Sequence, residues 1–355
     1  MKYVALKDVC KINMGQSPDS SSYNENGEGI PFFQGNADFG ERYPVTRVWC
    51  NAPTKIAQSE DILISVRAPI GALNYAKEKC CIGRGLAAIT PDKSKVSLEF
   101  VYWFLKGKNA ELKSKGTGST FKAISKKILE EILIPDVGFD KQHEYAQMLE
   151  KIYVIIQTRK QELQKLDELI QSRFVELFGD PVINSMGWKK ALIGDDCFVT
   201  KLAGFEYTQY INYEDSGDVV MVKAQNVKNG KLNRKELSFI SNEVSDSLPR
   251  SQLAPGDVVM TYVGANIGDV AIIDNEYKYH LAPNVAKIRP DSERYNSIYF
   301  MYMLMLLNAY IVKNSADTAK AALGMERIRK LNVFVPPIEL QNQFADFVAS
   351  VDKSK

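Results

Sequence analysis

Histidine is scarce in this chain, and its cysteines form no recognisable set. Only two histidines occur, His143 and His280, and none of the five cysteines stands in a CxxC pair. A structural zinc site needs several such ligands close together, and an odd number of cysteines does not close into a disulfide framework. We therefore expect neither a metal site nor a disulfide framework. With only two histidines in the chain, we also do not expect a Ser-His-Asp catalytic triad.

Long hydrophobic runs and a strong net charge are also missing. The nearest approach to a membrane span is residues 298–312, which is shorter than the roughly 18 apolar residues that a bilayer requires. The start, "MKYVALKDVC", lacks the apolar core of a secretory signal, so we expect no membrane association and a cytoplasmic location. The 355 residues suffice for two domains, and a net charge of +2 leaves any DNA binding to a local basic surface.

Several segments resemble catalytic motifs without fitting them. "KGTGSTFK" departs from the phosphate loop GxxxxGK[ST], and the polar-Pro-Pro-aromatic signature of an amino-methyltransferase has no match. The Pro-Asp pair at 91–92 with Glu111 and Lys113 satisfies a loose PD…ExK pattern, in which carboxylates hold Mg²⁺. The second Pro-Asp pair, at 290–291, has no matching ExK, so we do not expect a nuclease.

The most informative feature is a set of segments that occurs twice in the same order. "DILISVRAPIG" (61–71) is matched by "DVVMTYVGANIG" (257–268), each with an acidic residue, an apolar strand and an Ile-Gly turn. Flanking strands and aromatic helical stretches also recur, and the copies close with "ISKKILEEILIP" and "MERIRKLNVFVP". This order indicates an internal duplication of one α+β domain, much longer than a solenoid repeat.

Between the copies lies a stretch that predicts one long helix. Apolar residues recur at every seventh position from Leu149 to Leu177, and no Gly or Pro interrupts the chain between Gln142 and Phe178. The helix would be on the order of 50 Å long, and a sustained apolar stripe needs a partner helix. The predicted packing residues are Leu149, Ile156, Leu163, Leu166, Ile170, Phe174 and Leu177. A helix lying across a single globular core is the alternative that the pattern leaves open.

A second helix should begin near Leu340 and supply that partner. The sequence stops at Lys355 after a few turns, so this helix would cover less than half of the first. Either the chain is a truncated form, or another molecule completes the packing. We therefore expect part of the stripe to be uncovered and to drive self-association or binding of another protein. The residues concerned are Leu163, Leu166, Ile170 and Phe174.

The ordered segments resemble the DNA-specificity (S) subunit of a type I restriction-modification enzyme. The resemblance rests on "DILISVRAPIG", "CIGRGLAAITP", "LFGDP" and "VPPIELQNQFADFV", and it covers nearly the whole chain. It implies an α+β fold with two similar target-recognition domains separated by a long coiled-coil-type helical spacer. The corresponding ranges are 1–138 for the first recognition domain, 139–180 for the central spacer helix, 181–337 for the second recognition domain and 338–355 for the start of a shortened distal helix.

The resemblance also implies a division of labour among subunits. Each recognition domain would read one half of a split, asymmetric site in double-stranded DNA, while the helices set the spacing and dock two methyltransferase (modification) subunits. Restriction/translocase subunits would complete an adenine-N6 DNA methyltransferase and ATP-dependent endonuclease. S-adenosylmethionine, ATP and Mg would be bound by those partners, and this chain would bind no cofactor and carry no catalytic residue.

Candidate DNA contacts lie at the strand tips and in the polar loops of each copy. Arg suits guanine and Asn or Gln suits adenine in the major groove, whereas basic glycine-containing loops suit phosphates. At the tips, the first copy carries Arg67 and Arg84 where the second is expected to carry Asn266 and Asn284. The loop candidates are Gln34, Asn36, Lys115, Thr117, Ser119 and Lys122 in the first copy, and Lys223, Gln225, Asn226, Lys313, Asn314, Ser315 and Lys320 in the second. The tips could equally be structural, and the loops could be ordinary solvated turns.

Two other functions stay open at the level of sequence. One is a stand-alone nuclease or methyltransferase that carries a recognition module. The other is an anti-restriction or assembly protein that sequesters methyltransferase subunits through the helical stripe. Activity of the purified chain without partners would support the first, and methyltransferase binding without DNA reading would support the second.

Overall fold

The computed structural model describes residues 2–117, 122–315 and 322–355, without the side chains of 313–315. The chain divides into two compact units, Met1–Thr158 and Arg159–Lys355. The boundary between these units falls inside the longest helix. Each unit contains one of the two copies recognised in the sequence.

The first unit combines short strands with helices that pack on them. Its strands are β1 (Tyr3–Ala5), β2 (Cys10–Met14), β3 (Tyr23–Asn24), β4 (Ile30–Phe33), β5 (Trp49–Cys50), β6 (Ile56–Ala57), β7 (Ile62–Ser65), β8 (Leu73–Tyr75), β9 (Cys80–Ile82), β10 (Leu86–Pro91) and β11 (Leu133–Pro135). Its helices are α1 (Leu6–Val9), α2 (Leu98–Gly107), α3 (Asn109–Ser114), α4 (Lys126–Glu130) and the first part of α5 (Phe139–Phe178). Single turns of 3-10 helix lie at Ser20–Ser22 and Asn36–Asp38.

The second unit begins with the remainder of α5 and repeats the same kinds of element. Its strands are β12 (Lys190–Leu192), β13 (Cys197–Lys201), β14 (Val219–Val222), β15 (Val227–Lys228), β16 (Lys231–Leu232), β17 (Phe239–Ile240), β18 (Gln252–Leu253), β19 (Val258–Thr261), β20 (Val270–Ile272), β21 (Lys278–Leu281), β22 (Val285–Pro290) and β23 (Asn332–Phe334). Its helices are α6 (Ile193–Asp196), α7 (Gly204–Tyr210), α8 (Asn242–Ser247), α9 (Ser297–Leu306), α10 (Asn308–Ser315), α11 (Met325–Arg329) and α12 (Ile338–Ser354). Turns of 3-10 helix lie at Ala224–Asn226 and Pro249–Ser251.

The sheets of the two units have matching strand orders. A four-stranded antiparallel sheet runs β2-β10-β7-β8 in the first unit and β13-β22-β19-β20 in the second. A further sheet in each unit contains one parallel pair, β4 with β9 and β14 with β21. Each unit also has a two-stranded ribbon, β1 with β11 and β12 with β23. The predicted duplication of an α+β domain is therefore confirmed.

The repeated Ile-Gly turn is a requirement of the backbone. Gly71 and Gly268 have φ angles of 86° and 82°, in the left-handed region that favours glycine. Asn109 Nδ2 donates to the carbonyl oxygen of Gly71 at 2.6 Å, and a Cβ on Gly71 would lie 2.8 Å from that nitrogen. Asn308 also lies against Gly268, but its Nδ2 donates to Asp269 Oδ1 at 3.3 Å. In both copies, therefore, the first residue of a helix, α3 or α10, is an asparagine that packs against the turn.

The acidic residue that opens each repeated strand is structural as well. Asp61 Oδ2 accepts the N–H of Gln58 at 2.7 Å, and Asp257 Oδ2 accepts the N–H of Ala254 at 2.8 Å. Both carboxylates are buried, and Asp257 also receives two hydrogen bonds from Arg289 at 2.5 and 2.7 Å. Each acid therefore closes the turn that leads into its strand.

In the second unit, the end of α5 and α12 pack antiparallel to one another and against α9. Phe174 stacks on Tyr299 with ring centroids 5.5 Å apart and meets Phe344 at 5.4 Å. Lys355 Nζ, at the end of α12, lies 2.6 Å from Asp167 Oδ1. The expected partner helix is therefore present, and it runs along α5 only as far back as Asp167.

The predicted stripe of α5 is packed only in its C-terminal part. Ile170 and Phe174 are buried, so the expectation that they would be uncovered is wrong, because α9 and α12 close over them. Leu166 and Leu177 are half-buried against the same core. The other predicted packing residues are exposed: Leu149, Ile156 and Leu163. Their expected helix packing is not found within the described part of the chain.

Candidate nucleic-acid interface

Four segments of the first copy are joined edge to edge by backbone hydrogen bonds. The carbonyl oxygen of Gln34 accepts the N–H of Gly85 at 3.2 Å, and that of Gly85 accepts the N–H of Val66 at 2.9 Å. The carbonyl oxygen of Val66 accepts the N–H of Ile124, also at 2.9 Å. We call the exposed polar residues on these segments the first-copy edge: Gln34, Arg67, Arg84 and Lys122.

The local sequence explains why these segments approach so closely. A Cβ on Gly85 would lie 2.3 Å from the carbonyl oxygen of Gln34, so the turn that carries Arg84 needs glycine at that position. Thr117 and Ala123 exchange backbone hydrogen bonds of 3.0 and 2.9 Å. This pairing brings exposed Thr117 beside the first-copy edge. The structure thus brings together five of the predicted first-copy residues.

The second copy repeats two of the three bonds of this hydrogen-bond ladder with different residues. The carbonyl oxygen of Asn284 accepts the N–H of Tyr262 at 2.9 Å, and that of Tyr262 accepts the N–H of Leu323 at 2.8 Å. Asn284 has a φ of 71°, a left-handed conformation that asparagine adopts more readily than most residues. The scaffold of the interface is therefore duplicated along with the sheets.

The structural counterpart of Arg67 is Val263, so its predicted correspondence with Asn266 is wrong. Arg67 forms an antiparallel bridge with Ala123, and Val263 forms the equivalent bridge with Ala322. The turn from this point to the Ile-Gly glycine is one residue longer in the second copy, which shifts Asn266 out of register. Asn266 is nevertheless exposed, on the lengthened turn.

The predicted correspondence of Arg84 with Asn284 is also shifted by one residue. Gly85 and Asn284 occupy the same place in the ladder, because each accepts the hydrogen bond from the neighbouring strand tip. Arg84 therefore corresponds to Pro283. Asn284 remains exposed and stands where the first copy has a glycine without a side chain.

In the first polar loop of the second copy, one predicted DNA-contact residue, Asn226, stabilises the loop itself. Asn226 is only 2% exposed, and its Oδ1 accepts the N–H of Lys223 at 3.1 Å. Its Nδ2 donates to the carbonyl oxygen of Asn233 at 2.8 Å. Asn226 therefore does not fit the predicted role in DNA contact, since reaching DNA would break this loop. Lys223 is half-buried, and Gln225 is exposed.

Several predicted contact residues lie outside the residues or side chains that the structure describes. Ser119 and Lys320 lie outside the described residues. Helix α10 includes three further candidates whose side chains are not described: Lys313, Asn314 and Ser315. Asn36 is half-buried at the first position of a 3-10 turn.

The carboxylates of the loose PD…ExK pattern are bound by their own neighbours. Asp92 accepts the hydroxyl of Ser94 at 2.6 Å, which holds the pKa of Asp92 below its usual range. Glu111 lies 2.6 Å from Lys108 and 2.7 Å from exposed Lys115, and these lysines lower the pKa of Glu111 to about 2. Within residues 2–117, 122–315 and 322–355, no group of three or more His, Cys, Asp and Glu is arranged to hold a metal ion.

Among those residues, no helix has both the length and the apolar character to cross a membrane.

A basic cleft near the first-copy edge was missed by the sequence reasoning. Lys55, Lys126 and Gln16 line a cleft of about 390 Å³. In the second copy, Lys201 Nζ lies 5.5 Å from the ring centre of Tyr262, which belongs to the ladder. The sequence did not predict this cleft, because Lys55 and Lys126 are far apart along the chain and only the fold brings them together.

Comparison with known proteins gives consistent matches along both copies. The family model described as "Type I restriction modification DNA specificity domain" matches residues 1–168 and 187–355. The chain is 47% identical over 158 residues to the putative type I restriction enzyme MjaX specificity subunit of Methanocaldococcus jannaschii, covering 44% of this chain and 37% of that protein. It is 19% identical over 378 residues to the type I restriction enzyme EcoBI specificity subunit of Escherichia coli, covering 96% of this chain and 77% of that protein.

A solved structure shares the fold over almost the whole chain. The S subunit of a type-I restriction-modification system from M. genitalium matches with a TM-score of 0.58 and 14% identity, covering 99% of this chain and 89% of that one. At this identity the likeness concerns the fold alone. The alignment with the MjaX subunit, by contrast, spans little more than a third of that relative's length.

Proposed function

Because the chain belongs to the family of type I restriction modification DNA specificity domains, we propose that it is a non-catalytic DNA-recognition subunit. Each copy reads one half of a split, asymmetric site in double-stranded DNA. The observation that carries this proposal is the ladder of backbone hydrogen bonds, which is built twice and presents different exposed side chains each time. One scaffold with two sets of side chains suits two different half-sites.

The first-copy edge offers side chains suited to both bases and phosphates. Arg67 and Arg84 have the paired donors that bind guanine O6 and N7, and Gln34 has the donor and acceptor that match adenine. Lys122, Lys115 and Thr117 suit phosphate oxygens, which position a protein on DNA without reading its sequence. Lys55 and Lys126 extend this basic surface through the cleft they line.

The second copy offers a less basic set. Asn266, Asn284 and Gln225 are exposed amides that suit adenine, and Lys201 and Lys223 suit phosphates. The candidates on α10 and in the following segment complete the proposed contact region: Lys313, Asn314, Ser315 and Lys320. Because arginines are concentrated on the first edge, we expect the two copies to prefer different bases.

The proposed subunit works within a larger assembly. It docks two methyltransferase subunits that methylate adenine at N6 with S-adenosylmethionine, and restriction/translocase subunits that use ATP and Mg cut the DNA. This chain itself binds no cofactor in the proposal, and it acts in the cytoplasm. Self-association through the exposed part of α5 is a further proposed property, supported by the exposure of Leu149, Ile156 and Leu163.

The proposal is tested by co-expressing the chain with its cognate methyltransferase and mapping methyladenine across the genome. We expect methylation at a motif of two short half-sites separated by a fixed spacer. Each half-site should change when the matching copy is altered, and only that one. Methylation at a single continuous motif, or none, would contradict the proposal. DNA cleavage or methylation by the purified chain alone would instead favour a stand-alone enzyme.

A further inference from the structure

A short hairpin follows the first polar loop of each copy, at residues 39–45 and 227–232. In the first copy, the carbonyl oxygen of Arg42 accepts the N–H of Tyr75 in β8 at 2.8 Å. In the second copy, the carbonyl oxygen of Gly230 accepts the N–H of Ile272 in β20 at 3.2 Å. Strands β8 and β20 occupy the same place in their sheets, and these two residues have the same register. Arg42 therefore corresponds to Gly230, and Lys231 is the next residue.

Arg42 is held between two helices of the first unit by charge and by aromatic rings. Its guanidinium forms an ion pair with Glu150 in α5, and only 21% of the Arg42 side chain is exposed. Its Cζ lies 5.4 Å from the ring centre of Tyr102 in α2 and 4.9 Å from that of Tyr153 in α5. Cation–π contacts of this kind strengthen as the cation is shielded from water. One side chain therefore attaches the first hairpin to both α2 and α5.

The helices next to the two hairpins correspond residue by residue. Gln142 in α5 is buried, and its Oε1 accepts the N–H of Ser97 at 2.8 Å, immediately before α2. Gln341 in α12 is also buried, and its Oε1 accepts the N–H of Asn296 at 2.9 Å, immediately before α9. The two hydrogen-bonded pairs are 199 residues apart in the sequence. The same offset therefore relates positions in α5 to positions in α12.

Lys231 reaches the same helix position in the second unit as Arg42 does in the first. The Nζ of Lys231 lies 2.9 Å from Asp352 Oδ2 in α12. At an offset of 199 residues, Asp352 is the counterpart of Tyr153, on which Arg42 packs. The residues differ between the copies, but the connection from hairpin to helix is the same.

Each hairpin is also bonded to the polar loop that is proposed to contact DNA. In the first copy, Asp38 Oδ2 accepts the N–H of Gln34 at 2.7 Å, and the carbonyl oxygen of Asp38 accepts the N–H of Val45 at 2.8 Å. In the second copy, Asn226 Nδ2 donates to the carbonyl oxygen of Asn233 at 2.8 Å, and the N–H of Asn233 donates to the carbonyl oxygen of Asn226 at 2.7 Å. A shift of either hairpin on its helix would therefore move the polar loop with it.

We infer that Arg42 and Lys231 are positioning residues, each of which fixes the polar loop of its copy on the helix next to it. The inference rests on the proposed function, in which the two copies read half-sites at a fixed spacing. One additional base pair in the spacer moves a half-site by about 3.4 Å and turns it by about 35° around the duplex axis. Rigidly held loops cannot bind both half-sites after such a change, so the gain from simultaneous binding is lost. Loops released from their helices can follow the displaced half-site, and strict spacing therefore depends on these two attachments.

Arg42→Gln tests this role in the chain co-expressed with its cognate methyltransferase. Methyladenine is mapped at cognate sites and at sites whose spacer is longer or shorter by one base pair. Methylation of the altered sites relative to cognate sites should rise by at least about tenfold, because the first loop then adapts to the displaced half-site. The preferred bases of each half-site should stay the same, whereas a misfolded first copy would lose its base preference. Lys231→Gln should act in the same direction but more weakly, since the Lys231 side chain is 64% exposed.

Two variants serve as controls. Arg42→Lys should retain strict spacing, because it keeps a cation next to Glu150 and the aromatic rings. Lys79→Gln should also retain it, since this change removes one positive charge from an exposed residue just before β9.

Strict spacing in Arg42→Gln, with cognate methylation retained, would overturn the inference and leave the proposed function intact. If Arg42→Gln abolishes methylation, Glu150→Ala takes its place: relaxed spacing in that variant would support the inference, and strict spacing would overturn it. The absence of a two-part motif for the unaltered chain would contradict the proposed function itself, and the inference with it.

Discussion

Replacing Phe174 with alanine tests whether α9 and α12 close over the end of α5. The ring is fully buried and contacts Phe178 at 4.9 Å, Tyr299 at 5.5 Å and Phe344 at 5.4 Å. Removing such a ring loses its burial and leaves a cavity, which typically costs about 3–5 kcal/mol. A domain's free energy of unfolding is on the order of 5–15 kcal/mol, so the second unit should lose a large share of its stability.

The assay is urea denaturation followed by tryptophan fluorescence. Trp188 reports on the second unit, since its Nε1 donates to the carbonyl oxygen of Phe178 at 2.9 Å. Leu163→Ala is the matched control on the same helix, and it should cost below about 1 kcal/mol because Leu163 is exposed. Equal losses in the two variants, or a loss below about 1 kcal/mol for Phe174→Ala, would refute the described packing.

Three further predictions concern reading, positioning and pH. Arg67→Ala should relax base preference in one half-site only, at a cost of about 1–3 kcal/mol for the preferred base, as measured by the methylation motif of the co-expressed complex. Lys122→Ala should weaken DNA binding for all sequences alike and reduce the slope of log affinity against log salt by about 1, whereas an unchanged slope would remove Lys122 from the phosphate contacts. Burial lowers the pKa of Lys287 from 10.5 to about 8. Below pH 8 the folded protein must bury a charged ammonium group, which destabilises it, and this destabilisation decreases as the folded state loses the proton at higher pH. The free energy of unfolding should therefore rise by about 1–2 kcal/mol from pH 7.5 to 9.5 relative to Lys287→Met, and parallel pH profiles of the two proteins would contradict this.

The duplication was predictable from sequence because both copies need the same local chemistry. The Ile-Gly turn requires a positive φ at Gly71 and Gly268, and buried Asp61 and Asp257 close the turns before their strands. Such requirements act within a few residues of the chain, so they leave matching patterns that can be aligned by eye. The order of the repeated segments along the chain and the long helix followed from the same local signals.

The equivalence of individual edge residues was not predictable in the same way. One additional residue in the second turn moves Asn266 out of register with Arg67, and only the bridges to Ala123 and Ala322 reveal the shift. These partners lie more than fifty residues away along the chain. Asn226 is buried within its own loop, where its Nδ2 donates to the carbonyl oxygen of Asn233, and residue type alone does not indicate this structural role.

The sequence predicted that the second helix would cover less than half of α5, but not which residues of the stripe it would bury. A seven-residue repeat predicts which face of α5 is apolar, but it does not indicate how far a partner reaches. The partner reaches as far as Asp167, through its bond to Lys355, so Ile170 is buried while Leu163 is exposed on the same stripe. Periodicity reports a preference for burial, and the neighbouring elements decide whether the preference is met.

A chain that contains two versions of one domain allows scaffold and reading positions to be separated within a single molecule. Where the backbone needs a specific group, both copies keep it, as with the buried Gln142 and Gln341. Along the ladders the copies differ, with Arg67 replaced by Val263 and the turn lengthened by one residue. A turn of different length places its side chains at different positions relative to the bound DNA. Exchanging a single residue between the copies should therefore not exchange their base preference. Replacing residues 262–268 with residues 66–71 moves the side chains of the tip together with their backbone. We expect this whole tip to be the smallest segment whose exchange transfers base preference from one copy to the other.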